Sequence, residues 1–157
     1  MRISVVIPTL NESRLVSAAV SSAKQAGADE IIVADGASSD GTAEVAAALG
    51  CQVIHCDPGR SGQQNAGAER ASGDVLLFLH ADSRLGGDSL DQIRLAFQDG
   101  RLVGGAFKHH IEAKGPLFRL IELGNAARVR WLSMAYGDQG IFVRRKIFQD
   151  ISGFPPV

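Results

Sequence analysis

Short apolar runs alternate with longer segments of helical periodicity along the first hundred residues. Runs of apolar and β-branched residues predict four strands, at 3–7, 30–34, 52–55 and 74–79. Apolar residues at helical spacing predict the helices that follow them, at 12–26, 42–49, 62–71 and 89–97. Because parallel neighbours need a crossover, four strand–helix units in succession predict a mostly parallel sheet with helices on both faces.

Two of these helices carry signals at their ends. Asn11 is a suitable N-cap for the first helix, and Gly27 is a suitable stop after it. Asp40 is placed to cap the second helix in the same way. These residues predict sharp boundaries between the strands and the helices that follow them.

Beyond residue 100 the pattern changes. It predicts a long strand kinked by two glycines at 102–113, a helix at 116–135, a short strand at 140–145 and a further helix from residue 146. We find no repeat, low-complexity segment or linker in the sequence. The chain is therefore expected to form a single α/β domain.

Composition and charge limit the classes of partner. The chain has 157 residues, of which 45% are hydrophobic, enough to bury roughly two thirds of the unfolded surface in one domain. The formal net charge of -1 provides no general attraction to nucleic acid, so we expect no nucleic-acid partner. Any anion that binds must be held by a local cluster of charge.

The two cysteines indicate the redox environment. Cys51 and Cys56 lie on one predicted strand, where five residues at ~3.3 Å each place them too far apart for a disulfide. We expect reduced thiols, which are typical of a cytoplasmic protein.

Membrane association is expected only at the surface, because no apolar run approaches the ~18 residues of a membrane span. Arg119, Arg128 and Arg130 lie among apolar residues of the predicted second-half helix. They fit a core-facing helix whose arginine heads reach water. The core-facing helix is the preferred interpretation, and the alternative is a peripheral contact with lipid at the inner face of the membrane.

Polar residues follow each of the four predicted strands. In open α/β sheets ligands bind beyond the carboxyl ends of the strands, so these loops are expected to share one rim. Each loop taken alone is also explained by turn and capping preferences. Four of them on one rim favour a binding site. They read "PTLNE", "DGASSDGT", "DPGRSGQQNAG" and "HADSR".

The chemistry of these loops indicates a nucleotide diphosphate. Asp35, directly after the second strand, can accept hydrogen bonds from a ribose hydroxyl or a base N–H. Gly59 and Gly62 allow close backbone approach, and Arg60 offers a planar fork to phosphate oxygens at a helix start. A dinucleotide fold of the Rossmann type is disfavoured, because the sequence has no glycine before Gly27.

Asp82 has a candidate role as a metal ligand. A leaving diphosphate needs its negative charge neutralised, and a divalent cation does this while held by one or two carboxylates, phosphate oxygens and water. For His80, two residues earlier, three interpretations stand: contact with the nucleotide, ligation of an ion such as Mn²⁺, or a structural role.

Four longer motifs together resemble the family-2 glycosyltransferases of the GT-A fold, over nearly the whole chain. They are "VVIPTLNE", "ADGASSDGT", "GRSGQQNAGAERASGDVLLFLHADS" and "YGDQGIFVRR". The sequence is most similar to a bacterial subgroup in which the Asp-x-Asp metal motif reads His-Ala-Asp. The resemblance implies one GT-A domain over 1–157, with a nucleotide-binding half at 1–100 and an incomplete acceptor-side half at 101–157.

The same resemblance implies a reaction and a set of site residues. A sugar would move from a nucleotide-diphosphate donor to an unidentified hydroxyl acceptor, lipid-linked or small, with inversion and with Mn²⁺ or Mg²⁺ held by Asp82. The implied donor-binding residues are Pro8, Thr9, Glu12, Asp35, Ser38, Arg60, His80, Ala81 and Asp82.

The four motifs do not include the residue that would act as catalytic base. In the family it lies on a helix after a "GGFP"-like turn, and here "SGFPPV" ends at Val157. We expect the base beyond Val157 in a longer protein, with Asp138 of "YGDQG" as the alternative. A nucleotide-sugar-binding module without turnover is the rival interpretation. A sugar-phosphate nucleotidyltransferase is disfavoured, because "PTLNESR" is not a glycine-rich basic loop.

Overall fold

The computed structural model describes residues 1–107 and 140–156. Within them the strands are β1 (Ile3–Thr9), β2 (Glu30–Asp35), β3 (Gln52–His55), β4 (Val75–Phe78), β5 (Gly104–Ala106) and β6 (Ile141–Arg144). The helices are α1 (Val16–Gln25), α2 (Thr42–Ala48), α3 (Arg60–Arg70), α4 (Ser89–Ala96) and α5 (Arg145–Asp150).

The six described strands form one sheet in the order β3-β2-β1-β4-β6-β5. The first four pair in parallel, and β6 is antiparallel to both β4 and β5. The predicted mostly parallel α/β sheet is therefore confirmed. The chain builds outward from β1 to β3 and then returns to the other side of β1 as β4. This reversal of strand order opens a crevice at the carboxyl ends of β1 and β4.

Alternate residues of the central strands face two separate cores. Val5 of β1 packs in one cluster with α1 and α4, whereas its neighbour Val6 packs in another with α3 and α5. On β4, Leu77 and Phe78 divide in the same way. Because both faces of β4 are covered, all of its residues are apolar, which explains the uninterrupted run before His80.

The boundaries of several elements differ from the predictions. The strand at 52–55 is confirmed to the residue, but the first helix begins at Val16 and not at residue 12. Of the predicted long strand at 102–113, the described part is a strand of three residues, and residues 108–113 lie outside the described residues. The predicted helix at 116–135 also lies outside them.

One glycine controls how closely α3 approaches the sheet. A Cβ built on Gly67 would lie 2.3 Å from Cγ1 of Val6, a fully buried side chain with no room to move. Gly62, on the same helix, has open space around its Cβ position. The two positions therefore separate the effect of packing from that of helix propensity.

Replacing Gly67 by alanine is expected to lower the free energy of unfolding by about 1–3 kcal/mol, because the added methyl group overpacks the interface between α3 and β1. Gly62→Ala is the matched control and should gain up to about 1 kcal/mol from helix propensity alone. Urea unfolding followed by circular dichroism measures both. Equal stability of the two variants would contradict the close approach.

Candidate nucleotide-binding site

A cleft of about 290 Å³ lies at the carboxyl ends of β1 and β4. Three segments form it: the loop after β1, the first turn of α3 and the turn after β4. The polar loops predicted to share one rim therefore do so. The lining residues are Pro8, Thr9, Leu10, Glu12, Gly59, Arg60, Gln63, His80, Ala81 and Asp82.

The structure brings most of the predicted site residues together. Asp35 and Ser38 lie beside the cleft and are not among its lining residues, and Asp138 lies outside the described residues. The individual roles given to these residues remain predictions. Those that line the cleft are Pro8, Thr9, Glu12, Arg60, His80, Ala81 and Asp82.

Asp35 is buried at the end of β2, with 1% of its surface exposed. The Thr9 hydroxyl donates to its Oδ1 at 3.2 Å, and the Ser38 backbone N–H donates to its Oδ2 at 2.9 Å. Nδ1 of His55 lies 3.8 Å from Oδ2. These hydrogen bonds compensate the burial of the carboxylate. In this structure Asp35 is thus connected to the cleft through Thr9.

Asn11 has a different role from the predicted helix cap. Its φ of 55° is left-handed, a conformation that asparagine tolerates better than most residues. Its backbone N–H donates to Oγ of Ser38 at 2.9 Å, and its Oδ1 accepts from the Ser39 N–H at 2.9 Å. The side chain therefore joins two loops and does not cap α1, which is why α1 begins only at Val16.

The same two loops are joined further along. The Glu12 N–H donates to Oγ1 of Thr42 at 2.8 Å, and the Ser13 N–H donates to Oδ2 of Asp40 at 3.0 Å. Asp40 also accepts from the hydroxyl and the N–H of Thr42, the first residue of α2. The N-cap residue is Gly41 and it makes no side-chain cap hydrogen bond, so the predicted cap at Asp40 is wrong. We call this set of contacts the loop clamp: Asn11, Glu12 and Ser13 on one side, Ser38, Ser39, Asp40 and Thr42 on the other.

One wall of the cleft is electropositive. The helix α3 begins at Arg60, after Gly59 with a φ of 145° that suits glycine. Unpaired amides at a helix start, together with the positive end of the helix dipole, favour anions. The exposed Arg60 guanidinium adds a full charge beside them. This wall is suited to phosphate oxygens.

The turn after β4 brings the exposed carboxylate of Asp82 into the same cleft. The Ser83 N–H donates to the His80 carbonyl at 3.0 Å and closes a turn, and the Ser83 hydroxyl donates to Asp82 at 3.2 Å. Within 1–107 and 140–156, no group of three or more His, Cys, Asp and Glu side chains forms a ready-made metal site. A hard cation in this cleft would need ligands from phosphate and water besides Asp82.

Gln63 is a lining residue that the sequence did not indicate. Only the glycines and the arginine of "GRSGQQNAG" were singled out, yet Gln63 is 4% exposed and its amide reaches the ends of two strands. The signal that could have found it is helical phase. Once α3 begins at Arg60, position 63 falls on the same buried face as Gly67.

Comparisons with known proteins identify the class of the chain. The profile described as Glycosyl transferase family 2 matches residues 4–154, so the chain belongs to that family. An uncharacterized glycosyltransferase of Nostoc sp. (strain PCC 7120) is 33% identical over 121 residues, which are 71% of this chain and 37% of that one. One of Rickettsia prowazekii is 37% identical over 98 residues, 61% of this chain and 33% of that one.

Solved structures share the GT-A architecture. TarS 1–349 of S. aureus in complex with UDP matches with a TM-score of 0.77 and 18% identity, over 99% of this chain and 50% of that one. The mannosyltransferase PcManGT from Pyrobaculum calidifontis, in complex with GDP-Man and Mn²⁺, matches with a TM-score of 0.77 and 20% identity. The match covers 98% of this chain and 47% of that one. The chain thus spans about a third of those curated relatives and half of these structures.

The described helices also bear on membrane association. None of those within 1–107 and 140–156 is both long and apolar enough to cross a bilayer.

Removal of the Asp40 carboxylate tests the loop clamp. Hydrogen bonds from the Thr42 hydroxyl and the Ser13 N–H hold the pKa of Asp40 well below its usual range. A lowered pKa stabilises the folded state above the unfolded value of about 3.9, and this stabilisation is lost as pH falls through the folded pKa. Asp40→Ala is therefore expected to lower the midpoint of urea unfolding. The difference from the unmodified chain should be largest above about pH 5 and should decrease below about pH 4.

Amide hydrogen exchange at pH 7 localises this effect. Residues 11–14 and 38–42 should exchange faster in Asp40→Ala. Glu44→Ala, which removes an exposed carboxylate from α2, should leave them unchanged. A stability difference that does not vary with pH would contradict the role given to the charge.

Proposed function

We propose that this chain is the donor-binding part of a metal-dependent glycosyltransferase. The transferred sugar would come from a nucleotide-diphosphate donor and pass to a hydroxyl acceptor with inversion. The observation that carries the proposal is that one cleft is lined both by the electropositive α3 start at Arg60 and by the exposed carboxylate of Asp82. Membership of glycosyl transferase family 2 supports it.

The donor would lie along the rim from β2 to β4. Asp35, Thr9 and Ser38 form one hydrogen-bonded unit, which would receive the base and ribose. Gly59 and Arg60 would receive the diphosphate. The remaining predicted residues, Pro8, Glu12, His80 and Ala81, line the cleft between these ends. Neighbours of the same fold bind UDP, UDP-GlcNAc and GDP-Man, which supports a donor of this class.

Asp82 fits the ligand set of Mg²⁺ or Mn²⁺. Such a cation takes one or two carboxylates and fills its other positions with phosphate oxygens and water, and Asp82 supplies an exposed carboxylate in the cleft. When bound, the cation would neutralise charge that develops on the leaving diphosphate. The His-Ala-Asp sequence places an imidazole where the common motif has a carboxylate, so His80 would contact the ribose or ligate Mn²⁺.

Transfer with inversion places demands on the chain beyond donor binding. The acceptor hydroxyl attacks the anomeric carbon as the bond to the diphosphate oxygen breaks, and it loses its proton to a base. Asp138 and a carboxylate beyond Val157 are the two candidates for that base. The acceptor would be lipid-linked or a small molecule, and a cytoplasmic location with peripheral membrane contact remains our prediction.

Calorimetry tests the donor and metal assignments together. UDP or GDP is expected to bind more tightly with Mn²⁺ than without it, because Asp82 would help to hold the cation and the cation would neutralise charge on the diphosphate. Asp82→Ala should remove this dependence, at a cost of about tenfold in affinity, or about 1.4 kcal/mol. Asp88→Ala, an exposed carboxylate outside the cleft lining, is the control and should keep it.

Equal affinity of UDP and GDP with and without Mn²⁺ would contradict the metal assignment. Absence of binding under both conditions would contradict the proposed function. Turnover of UDP-GlcNAc or GDP-Man then separates two outcomes. Transfer or hydrolysis by the 157 residues, lost in Asp138→Asn, would assign the base to Asp138. Binding without turnover would support the binding-module interpretation for these residues.

A further inference from the structure

The side chain of Gln63 joins three segments at the cleft. Its Nε2 donates to the Thr9 carbonyl at 2.6 Å and to the Ala34 carbonyl at 3.0 Å. Its Oε1 accepts from the Gly59 N–H at 3.4 Å. One amide thus contacts the end of β1, the end of β2 and the residue before α3.

The two carbonyls belong to adjacent parallel strands. Thr9 and Ala34 lie one register position apart, since Pro8 pairs with Ala34 and Thr9 pairs with Asp35. Nε2 has two hydrogens, and this geometry provides one acceptor for each. Because Gln63 is only 4% exposed, the bonds are shielded from competing water.

The amide of Gln63 leaves no space for a side chain at position 36. A Cβ built on Gly36 would lie 2.9 Å from Nε2 of Gln63, 3.1 Å from its Cδ and 3.3 Å from Cα of Pro58. Gly36 is itself buried, and its N–H donates to the same Thr9 carbonyl at 2.9 Å. A glycine at position 36 is therefore required by the seated amide of Gln63.

The segments that Gln63 joins are the two ends of the cleft. Thr9 bonds to the buried Asp35 on the base side, and Gly59 precedes the Arg60 helix start on the phosphate side. We infer that Gln63 is a positioning residue that fixes the spacing between the base end and the diphosphate end of the donor site. The inference rests on the proposed function, and it assigns Gln63 no contact with the reacting atoms.

A fixed spacing has a thermodynamic signature. A nucleoside diphosphate binds more tightly than its separate parts because the first contact delivers the second at high effective concentration. That advantage is lost when the two subsites move relative to each other, even if each subsite survives. A purely structural role for Gln63 would instead weaken all ligands alike, through the loss of folded protein.

The test compares UDP with uridine and inorganic pyrophosphate, each with Mn²⁺, and GDP with guanosine and pyrophosphate in the same way. Gln63→Met keeps the length and removes both donors. It should weaken the diphosphate about tenfold while uridine, guanosine and pyrophosphate stay within about twofold. Gln98→Met, at an exposed glutamine, is the control and should bind like the unmodified chain.

A second variant keeps the test independent of residue 63. Gly36→Ala displaces the Gln63 amide through its added methyl group and should reproduce the selective loss. Gly87→Ala, whose Cβ position is open, should not. If Gln63→Met does not fold, Gly36→Ala alone decides the question. A similar loss of affinity for the nucleoside diphosphates, the nucleosides and pyrophosphate would overturn the inference. Unchanged affinity for UDP and GDP would overturn it as well.

Amide exchange without ligand separates this inference from the proposed function. In both variants residues 34–38 and 57–61 should exchange faster, while residues 89–96 of α4, which packs in the other core, stay unchanged. Unchanged exchange at the first two segments would overturn the positioning role even if UDP binds. An unmodified chain that binds no nucleoside diphosphate, yet shows the exchange difference in its variants, would overturn the donor assignment of the site.

Discussion

The carbonyl group of Thr9, at the end of β1, is the point on which the site depends. Two donors share it, the Gly36 N–H at 2.9 Å and the Gln63 amide at 2.6 Å. A strand that ends inside a packed domain must satisfy such a group without a further ladder bond, since a buried carbonyl left unpaired is costly. Here one donor comes from the loop after β2 and the other from the first turn of α3, so the same bonds that end the strand also hold one wall of the cleft against β1.

The strands and some residues of the cleft could be predicted from the sequence, and others could not. The strands could be predicted from their apolar runs, because a strand that is buried on both faces consists mainly of apolar residues. Asn11 was misplaced because the properties that favour it as an N-cap also let it adopt a left-handed φ and bridge two loops. Asp35 was expected after β2, yet its burial depends on Thr9 and Ser38, whose contacts are not local in sequence. Gln63 was missed for the same reason.

The charge of the cleft is a local property. The chain as a whole is almost neutral, with 16 basic and 17 acidic residues. A fold of this kind can still attract a diphosphate, because the amides of the α3 start and the Arg60 guanidinium converge where the strands end. Asp82 adds an exposed carboxylate to the same cleft. The charges of the cleft thus come from local side chains and backbone groups and not from the net charge of the chain.

The same helix links the cleft to the carboxyl end of the described chain. Asn65 donates to the Phe154 carbonyl and accepts from the Phe154 N–H, both at 2.9 Å, and the Phe154 ring packs 4.9 Å from that of Phe78. Residues 63 and 65 lie about 200° apart around a helix, so one amide faces the strand ends while the other faces this turn. Because Gly67 seats α3 closely on β1, a shift of the helix would strain both sets of bonds at once. The position of the turn and the spacing of the donor site are therefore mechanically coupled through α3.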